Sequence, residues 1–361
     1  MNSQHQFLNG PPQSLRCVDV VSIRTARIAA LQAFLPLIVL AGLAASNAGE
    51  FTAEKRADSL VLTRHGHTVG EYVVRDAKIP RPYFAHLHAP DGTRLTRAHP
   101  PVKGVDATDH DTLHPGLWLA FGDLNGVDFW RNKGNIEHVR FIAEPRGDAE
   151  RLSFAVEERY LAPDGREICR GVNEFVLIAG DTLRPALPGT LLLWSTTLRR
   201  ADGPLAFGPQ HEMGLGFRVA TPLVVKGGAG NILSSHGGRN EAGNWGRPAA
   251  WWNYTGTVGS QHAGILAVAA PDNARPVWAH ARDYGFLALN PTSPPPGAQD
   301  VPSIPFTVPA GESLRLKFGL LLHASPATEP LDPAASASAI AGELTHWKPM
   351  ATFAKPIPSK Q

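Results

Sequence analysis

Glycine and proline interrupt this chain so often that little of it could form a long helix. There are 35 Gly and 32 Pro in 361 residues, and the runs between them are short and rich in strand-forming residues. Both residue types disfavour helix interiors, so this spacing favours antiparallel strands joined by turns. The segment 162–165 (APDG), which lies between two such runs, is typical of a turn between paired strands. The sequence therefore predicts an all-β protein.

The predicted strands suit a large antiparallel β-sandwich, a fold that can exceed 200 residues as one domain. They are 60–63, 71–74, 153–160, 167–178, 191–197, 217–219, 265–268 and 314–322. One short C-terminal helix is predicted at about 334–346, where alanine is frequent. Residues 291–309 hold seven prolines and are predicted to form a surface loop.

The first 48 residues have the pattern of a secretory signal peptide. Arg24 and Arg27 precede an apolar run at 28–44, and small residues lead to a predicted cleavage after Ala48. We therefore expect a single domain at 49–361, exported to the periplasm or the extracellular space, with no membrane span in the mature form. An uncleaved N-terminal membrane anchor is the alternative, although about 17 apolar residues fall short of the roughly 20 that span a bilayer.

Charge and cysteine content exclude some classes of function. The signal segment contributes three arginines against one aspartate, so its removal leaves the chain with nearly equal numbers of positive and negative side chains. Without a basic cluster, the sequence offers no surface for nucleic acid. Cys169 is then the one remaining cysteine, and its strand-like surroundings predict a buried thiol rather than a nucleophile.

Four clusters mix glycine with aromatic, acidic, histidine and arginine side chains. They are 109–134, 210–218, 244–256 and 278–291. Glycine permits sharp bends and close approach of the backbone, whereas the polar side chains are costly to bury without partners. Plain strands need no such mixture, so the four clusters are predicted to converge on one site.

At these clusters the sequence resembles a bacterial family of unknown function that is often labelled methane oxygenase PmoA. The resemblance covers about 81–323 and rests on DHDTLHPGLW, GDLNGVDFW, EMGLG, WGR and RDYG, in this order. This chain has His211 where an acidic residue is common. A membrane methane monooxygenase subunit would need several spans of about 20 apolar residues, so the label does not fit. The resemblance implies a sandwich similar to galactose mutarotase, a fold associated with carbohydrate enzymes.

The residue types independently suit a sugar, because a saccharide offers apolar C–H faces beside hydroxyl groups. Aromatic platforms and planar hydrogen-bonding groups bind these two features. The predicted platforms are Trp118, Trp130 and Trp245, with Trp251 or Trp252, and the predicted polar contacts are Asp123, Asn125, Arg282, Asp283 and Asn290. Structural roles are the alternatives: core packing for Trp118 and Trp130, a turn for Asp123 and Asn125, and an Arg282–Asp283 ion pair.

Acid–base chemistry on a sugar needs two groups of different pKa. The resemblance to mutarotases implies a histidine acid with a glutamate base, and Glu212 with His110, His114 or His280 fits that pairing; Asp283 is a further catalytic candidate. His110 and His114, with Glu212 or Asp109, could instead share a divalent metal, although neither an HExxH motif nor a cysteine pair supports this.

The sequence thus predicts an exported carbohydrate-active protein that acts on a sugar or modified glycoside by His/Glu acid–base chemistry, without a cofactor. A non-catalytic carbohydrate-binding sandwich is one alternative. The other is a metal-dependent hydrolase or oxygenase that uses His110 and His114.

Overall fold

The computed structural model describes residues 50–298 and 302–349, which form two large antiparallel sheets, a two-stranded sheet and short helices. The predicted signal peptide lies outside the described residues. Among the described residues, no helix has the length and apolar character needed to cross a membrane.

The strands, in chain order, are β1 (Phe51–Lys55), β2 (Ser59–Arg64), β3 (His67–Val73), β4 (Tyr83–Ala85), β5 (Leu117–Phe121), β6 (Asn135–Gly147), β7 (Arg151–Leu161), β8 (Glu167–Ala179), β9 (Gly189–Arg199), β10 (Leu205–Phe207), β11 (Met213–Arg218), β12 (Gly230–Ser234), β13 (Pro248–Ala249), β14 (Trp251–Val258), β15 (Gln261–Ala269), β16 (Val277–Arg282), β17 (Phe286–Asn290), β18 (Phe306–Val308) and β19 (Ser313–Pro326). The helices are α1 (Asn240–Asn244) and α2 (Pro333–His346). The nine-stranded sheet has the order β1-β2-β3-β4-β5-β11-β17-β16-β13, and the eight-stranded sheet has the order β12-β14-β15-β19-β9-β8-β7-β6.

The two sheets pack face to face through aromatic side chains. The rings of Tyr72 on β3 and Phe84 on β4 lie 5.0 and 5.1 Å from the ring of Phe175 on β8, and Phe84 lies 5.7 Å from Trp194 on β9. All four side chains are buried. Because side chains alternate between the two faces along a strand, one face of each sheet contributes its side chains to this shared core. The predicted antiparallel β-sandwich is confirmed.

Helix α2 covers part of the opposite face of the eight-stranded sheet. Its Ile340 and Leu344 pack in a second apolar cluster with Leu191, Leu266 and Leu321. At its start, Asp332 Oδ1 accepts hydrogen bonds from the backbone N–H groups of residues 334 and 335, the usual role of an aspartate N-cap. The predicted helix at 334–346 is confirmed.

The predicted strands lie within or overlap β2, β3, β7, β8, β9, β11, β15 and β19, and Cys169 is buried as expected. The surface loop predicted at 291–309 is wrong in its first part, because residues 291–295 are buried. Asn290 Oδ1 accepts hydrogen bonds from the backbone N–H groups of Thr292 and Ser293. The prolines of this segment have no N–H group to satisfy, which makes its burial less costly.

Candidate functional site

Four neighbouring strands of the nine-stranded sheet bring the predicted clusters onto one face. Strand register pairs Trp118 on β5 with Gly216 on β11, Gly216 with Ala288 on β17, and Ala288 with His280 on β16. Residues that face one another across paired strands lie on the same side of a sheet. Leu117, next to Trp118 on β5, pairs instead with Phe84, whose ring packs against Phe175 of the other sheet. The row therefore lies on the outer face, away from the eight-stranded sheet.

The base of this outer face is aromatic and closed to solvent. Trp118 and Trp130 are both 0% exposed, with ring centroids 5.2 Å apart in an edge-on arrangement. A Cβ atom at Gly216 would lie 2.5 Å from Trp130 Cη2, so glycine is required for this packing. In this arrangement neither tryptophan offers a face to a ligand. The platform role predicted for Trp118 and Trp130 is therefore corrected to core packing.

His114 and His110 stack above this base. The buried His114 ring lies 4.5 Å from Phe286 and 4.9 Å from the half-exposed His110 ring, with interplanar angles of 5° and 16°. Stacked imidazoles carry their nitrogen lone pairs in separate parallel planes, which does not suit two ligands of one ion. Across residues 50–298 and 302–349, no group of three or more His, Cys, Asp or Glu side chains is arranged to hold a metal. The geometry thus argues against a metal shared by His110 and His114.

Two buried arginines fix the segment that carries these histidines. Arg218 donates two hydrogen bonds of 3.0 Å to Asp109, and its guanidinium lies 4.4 Å from the centre of the Tyr284 ring. Arg97 donates to the backbone carbonyls of Asp109 and His114 at 2.6 and 3.0 Å. Partial burial alone would raise the pKa of Asp109, but hydrogen bonds from His110 and Arg218 lower it to about 2. Asp109 is therefore a permanent anion that anchors the loop.

The part of the face that solvent reaches is formed by the residues around His280. The His280 Nδ1–H donates to the His211 carbonyl at 3.2 Å, which leaves Nε2 as the unprotonated nitrogen of the neutral ring. His211 and Trp245 flank this ring at 5.7 and 6.5 Å between centroids. Glu212, 21% exposed, forms an ion pair with Arg131. Three of the predicted site residues, Glu212, Trp245 and His280, are thus brought together.

Four polar atoms in this group are buried without a hydrogen-bond partner among the described residues. They are His211 Nδ1, Glu212 Oε2, Trp245 Nε1 and His280 Nε2. Glu212 Oε2 contacts Arg131 as an ion pair, but not with hydrogen-bond geometry. Buried polar groups in native proteins are nearly always satisfied, so such a concentration marks a place where another molecule can bind. The set contains both donors and acceptors.

The buried histidines are neutral at physiological pH. Burial, followed by the positive charge of Arg282, lowers the pKa of His280 to about 3. Burial and the charge of Arg218 hold the pKa of His114 well below 6.5. Neither ring is therefore a cationic proton donor near pH 7. Of the three histidines predicted as the acid, His110 is the one that is solvent-exposed, and its Nδ1 lies 2.8 Å from the Asp109 carboxylate.

Asp283 and Arg282 are held by α1 rather than by each other. Arg282 donates to Glu241 Oε1 at 2.7 Å, Asp283 Oδ1 accepts the Glu241 backbone N–H at 2.8 Å, and Glu241 Oε2 accepts the Asp283 N–H. The alternative of an Arg282–Asp283 ion pair is therefore wrong. The Glu241 carbonyl also accepts the Trp245 N–H at 2.9 Å, so this network positions Trp245. Asp283 is committed to the network, which corrects its predicted catalytic role.

Asp123, Asn125 and Asn290 have structural roles in place of the predicted ligand contacts. Asp123 Oδ1 accepts the Gly126 N–H in a turn, and Asn125 adopts a positive φ of 53° with its side chain bonded to backbone at Pro204 and Ala206. Asn290 is fully buried and caps the segment that follows it. The turn interpretation of Asp123 and Asn125 is the one that the structure supports.

Sequence reasoning did not select Arg131, His211 and Tyr284, all partly exposed at this site. Arg131 and Tyr284 lie inside the predicted clusters, beside Trp130 and Asp283. Their position in these clusters is the sequence feature that could have identified them. The signal for His211 was its departure from the acidic residue common in the resembling family.

Two described cavities lie outside this site. A cavity of about 640 Å³ between α2 and the ends of β14 to β16 is lined mainly by alanine, proline and valine, with Trp251 and Arg275. A cavity of about 390 Å³ near β3 and β4 contains Asp76, His86 and His99. There the Asp76 carboxylate accepts a hydrogen bond from the Tyr83 hydroxyl at 2.7 Å. Neither cavity includes Glu212, Trp245 or His280, so neither changes the choice of site.

Three solved structures with sugar-related names are similar to this chain. Galactose 1-epimerase from Lactobacillus acidophilus NCFM has a TM-score of 0.37 and 7% identity, over 76% of this chain and 98% of its own. A candidate aldose 1-epimerase from Escherichia coli K12 has a TM-score of 0.32 and 12% identity, over 77% and 100%. A β-arabinopyranosidase has a TM-score of 0.30 and 7% identity, over 75% of this chain but 38% of its own.

Among curated proteins, none matches this chain. The profile of a family of unknown function, DUF6807, matches residues 59–336, which is most of the chain. Its description names no activity, and it names no oxygenase. The chain belongs to this family of unknown function, DUF6807.

Proposed function

We propose that the outer face around His280 binds a saccharide. The observation that supports this is the group of three unpartnered polar atoms on His211, Trp245 and His280, beside the ion-paired carboxylate of Glu212. A sugar hydroxyl can donate one hydrogen bond and accept others, so a few hydroxyl groups would satisfy donors and acceptors together. The indole of Trp245 would supply the flat apolar surface on which a sugar ring packs.

We further propose that the protein is an enzyme that acts on this sugar by acid–base chemistry, with Glu212 as the base. The Glu212 carboxylate lies beside the buried aromatic residues of the outer face, where charge interactions are stronger than in water. His110 is the proposed acid, because it is half-exposed and beside a permanent anion, Asp109. The rings of His110 and Tyr284 lie 6.2 Å apart. Burial raises the pKa of Tyr284, and the charge of Glu212 adds to this increase against the charges of Arg218 and Arg282.

The test of the catalytic proposal is Glu212→Gln, which keeps the shape of the side chain but cannot take up a proton near pH 7. On a sugar that the wild-type protein converts, turnover should fall by about 10²- to 10⁴-fold, the usual contribution of a positioned base. Glu137→Gln is the matched control, since Glu137 is also ion-paired and partly exposed but lies on β6 of the other sheet. Unchanged turnover in Glu212→Gln would exclude Glu212 as the catalytic base.

The test of the binding proposal uses Trp245→Phe, which keeps a flat ring but loses the indole N–H. Sugar affinity, measured by isothermal titration calorimetry, should fall by about 5- to 10-fold, the effect of one hydrogen bond. Trp251→Phe is the control, because Trp251 is also partly exposed but lines the cavity of about 640 Å³ beside α2. This change should leave sugar affinity unchanged. Sugar binding without turnover on any sugar in the panel would favour the non-catalytic alternative.

We also propose that the protein is exported after cleavage behind Ala48, on the strength of the arginines and apolar run of the first 48 residues. N-terminal sequencing of the protein from the cell envelope should begin at Gly49. Recovery of residues 28–44 in the membrane fraction would support the anchor instead.

A further inference from the structure

Two arginines border His280 at the proposed sugar site. Arg282 lies two residues along β16 from His280, on the same face of the strand, and its side chain is 31% exposed. Arg131 reaches the site from the segment after Trp130, and its side chain is 37% exposed. Arg282 is held by Glu241, and Arg131 is held by both Asp128 and Glu212, so neither guanidinium is free to swing away.

Within the described part of the chain, the Arg282 guanidinium forms hydrogen bonds through Nη1 alone, which donates to Glu241. The Nε–Nη2 edge of the guanidinium is therefore available. Two parallel N–H groups on such an edge match the two oxygens of a carboxylate or a phosphate, and the resulting bidentate pair is stronger than a neutral hydrogen bond. Sugar hydroxyls alone do not require this arrangement.

The electrostatic surroundings of His280 agree with this geometry. Burial accounts for most of the depression in the pKa of His280, and the positive charges of Arg282 and Arg131 lower it further. The same two arginines lower the pKa of His211 after burial, against the opposing charge of Glu212. The two arginines therefore favour a ligand with negative charge beside His280, whereas at His211 the carboxylate of Glu212 opposes them.

We infer that the preferred sugar carries an anionic substituent, a carboxylate or a phosphate, and that the free edge of Arg282 binds it. The inference rests on the proposed saccharide site and narrows its substrate class. It assigns Arg282 as a specificity-determining residue, with Arg131 adding positive charge from the other side of His280.

The experiment compares hexoses with their uronic acids and 6-phosphates, in gluco, galacto and manno forms, by isothermal titration calorimetry with the full chain. At least one anionic sugar should bind about 10- to 100-fold more tightly than its parent hexose, the range for hydrogen bonds to a charged group. The uronate and phosphate arms identify which anion is preferred. Raising NaCl to about 0.5 M should reduce the preference, because salt screens a partly exposed ion pair.

Arg282→Gln should reduce the preference to less than about 3-fold. The readout is the ratio of the two affinities, because Arg282 also belongs to the Glu241 network that positions Trp245. Arg282→Lys should keep part of it, since a lysine retains the charge but not the bidentate edge. Arg75→Gln is the matched control, because Arg75 is an exposed arginine paired with Asp58 away from the site. Circular dichroism checks that each variant is folded. If Arg282→Gln does not fold, Arg131→Gln should also weaken the preference.

The outcomes separate the two proposals. Equal affinity for a hexose and its anionic forms, or a preference that survives in Arg282→Gln, would overturn the anionic-sugar inference and leave the saccharide site standing. Binding of no sugar in any of the three configurations would overturn the saccharide site and the inference with it.

Discussion

A carboxyl group buried between the two sheets makes the stability of this protein depend on pH. Glu158 on β7 is 5% exposed and faces the aromatic core, where Oε1 accepts a hydrogen bond of 3.2 Å from the Tyr72 hydroxyl. Burial raises the pKa of Glu158 from 4.5 to about 7, although hydrogen bonds from Tyr72 and Asn173 oppose the change. The protonated form is thus the one that the fold prefers.

The sign and size of the effect follow from the two pKa values. Because the folded protein holds this proton more tightly than the unfolded chain, the free energy of unfolding decreases as pH rises through 4.5 and levels off above about 7. A difference of about 2.5 units corresponds to about 3 kcal/mol at 1.36 kcal/mol per unit. Glu158→Gln cannot ionise, so it should be about 3 kcal/mol more stable than wild type at pH 8 and nearly equal to it at pH 4.

Urea unfolding at about pH 4, 6 and 8, followed by tryptophan fluorescence, measures the effect as a shift of the denaturation midpoint. The contrast variant is Glu157→Gln at the next residue. Glu157 points to the opposite face and pairs with Arg140 and Arg170 at 2.8 and 3.0 Å, so its neutralisation should destabilise the protein at pH 8. A Glu158→Gln variant that is less stable than wild type at pH 8, or whose gain is the same at all three pH values, would refute the reasoning.

Two further predictions concern packing. Trp118→Ala should lower the free energy of unfolding by about 3–5 kcal/mol, because a fully buried indole is removed from a close-packed base. Its folded fraction should bind sugar within about 3-fold of wild type by calorimetry, and a selective loss of binding would restore the platform role. Lys317→Met should cost about 1–3 kcal/mol in urea unfolding, because Lys317 Nζ donates to the Leu344 carbonyl near the end of α2 at 2.8 Å. An unchanged midpoint would show that this contact does not stabilise the docked helix.

The fold was predictable where strands carry a clear apolar pattern. β7, β8 and β19 of the eight-stranded sheet carry long runs of strand-forming residues, and all three were found. β6 was not found, although it has 13 residues, because it is an irregular edge strand in which Ile136 alone is buried. β5 is buried throughout, but it lies inside the cluster 109–134, which was interpreted from its polar residues. The strand was therefore not predicted.

The residues of the site could be predicted from the sequence, but not which of them are buried, exposed or held in ion pairs. Glu212, Trp245 and His280 were selected for their chemistry, and the strand order brings them together. A buried indole and an exposed one look alike in a sequence, so Trp118 and Trp130 could not be separated from Trp245. The partner of Arg282 is Glu241, 41 residues earlier, whereas sequence proximity suggested Asp283. Such pairings depend on how α1 packs against β16, which local sequence does not reveal.

The position of α2 has a practical consequence for anyone who attaches this protein to something else. The helix packs on the outer face of the eight-stranded sheet, whereas the proposed sugar site lies on the outer face of the nine-stranded sheet. A solid support, a fluorescent reporter or a fused protein joined through an exposed position of α2, such as Thr345, would leave the sugar site facing solution. Immobilisation in that orientation would suit surface-based binding measurements with large glycans.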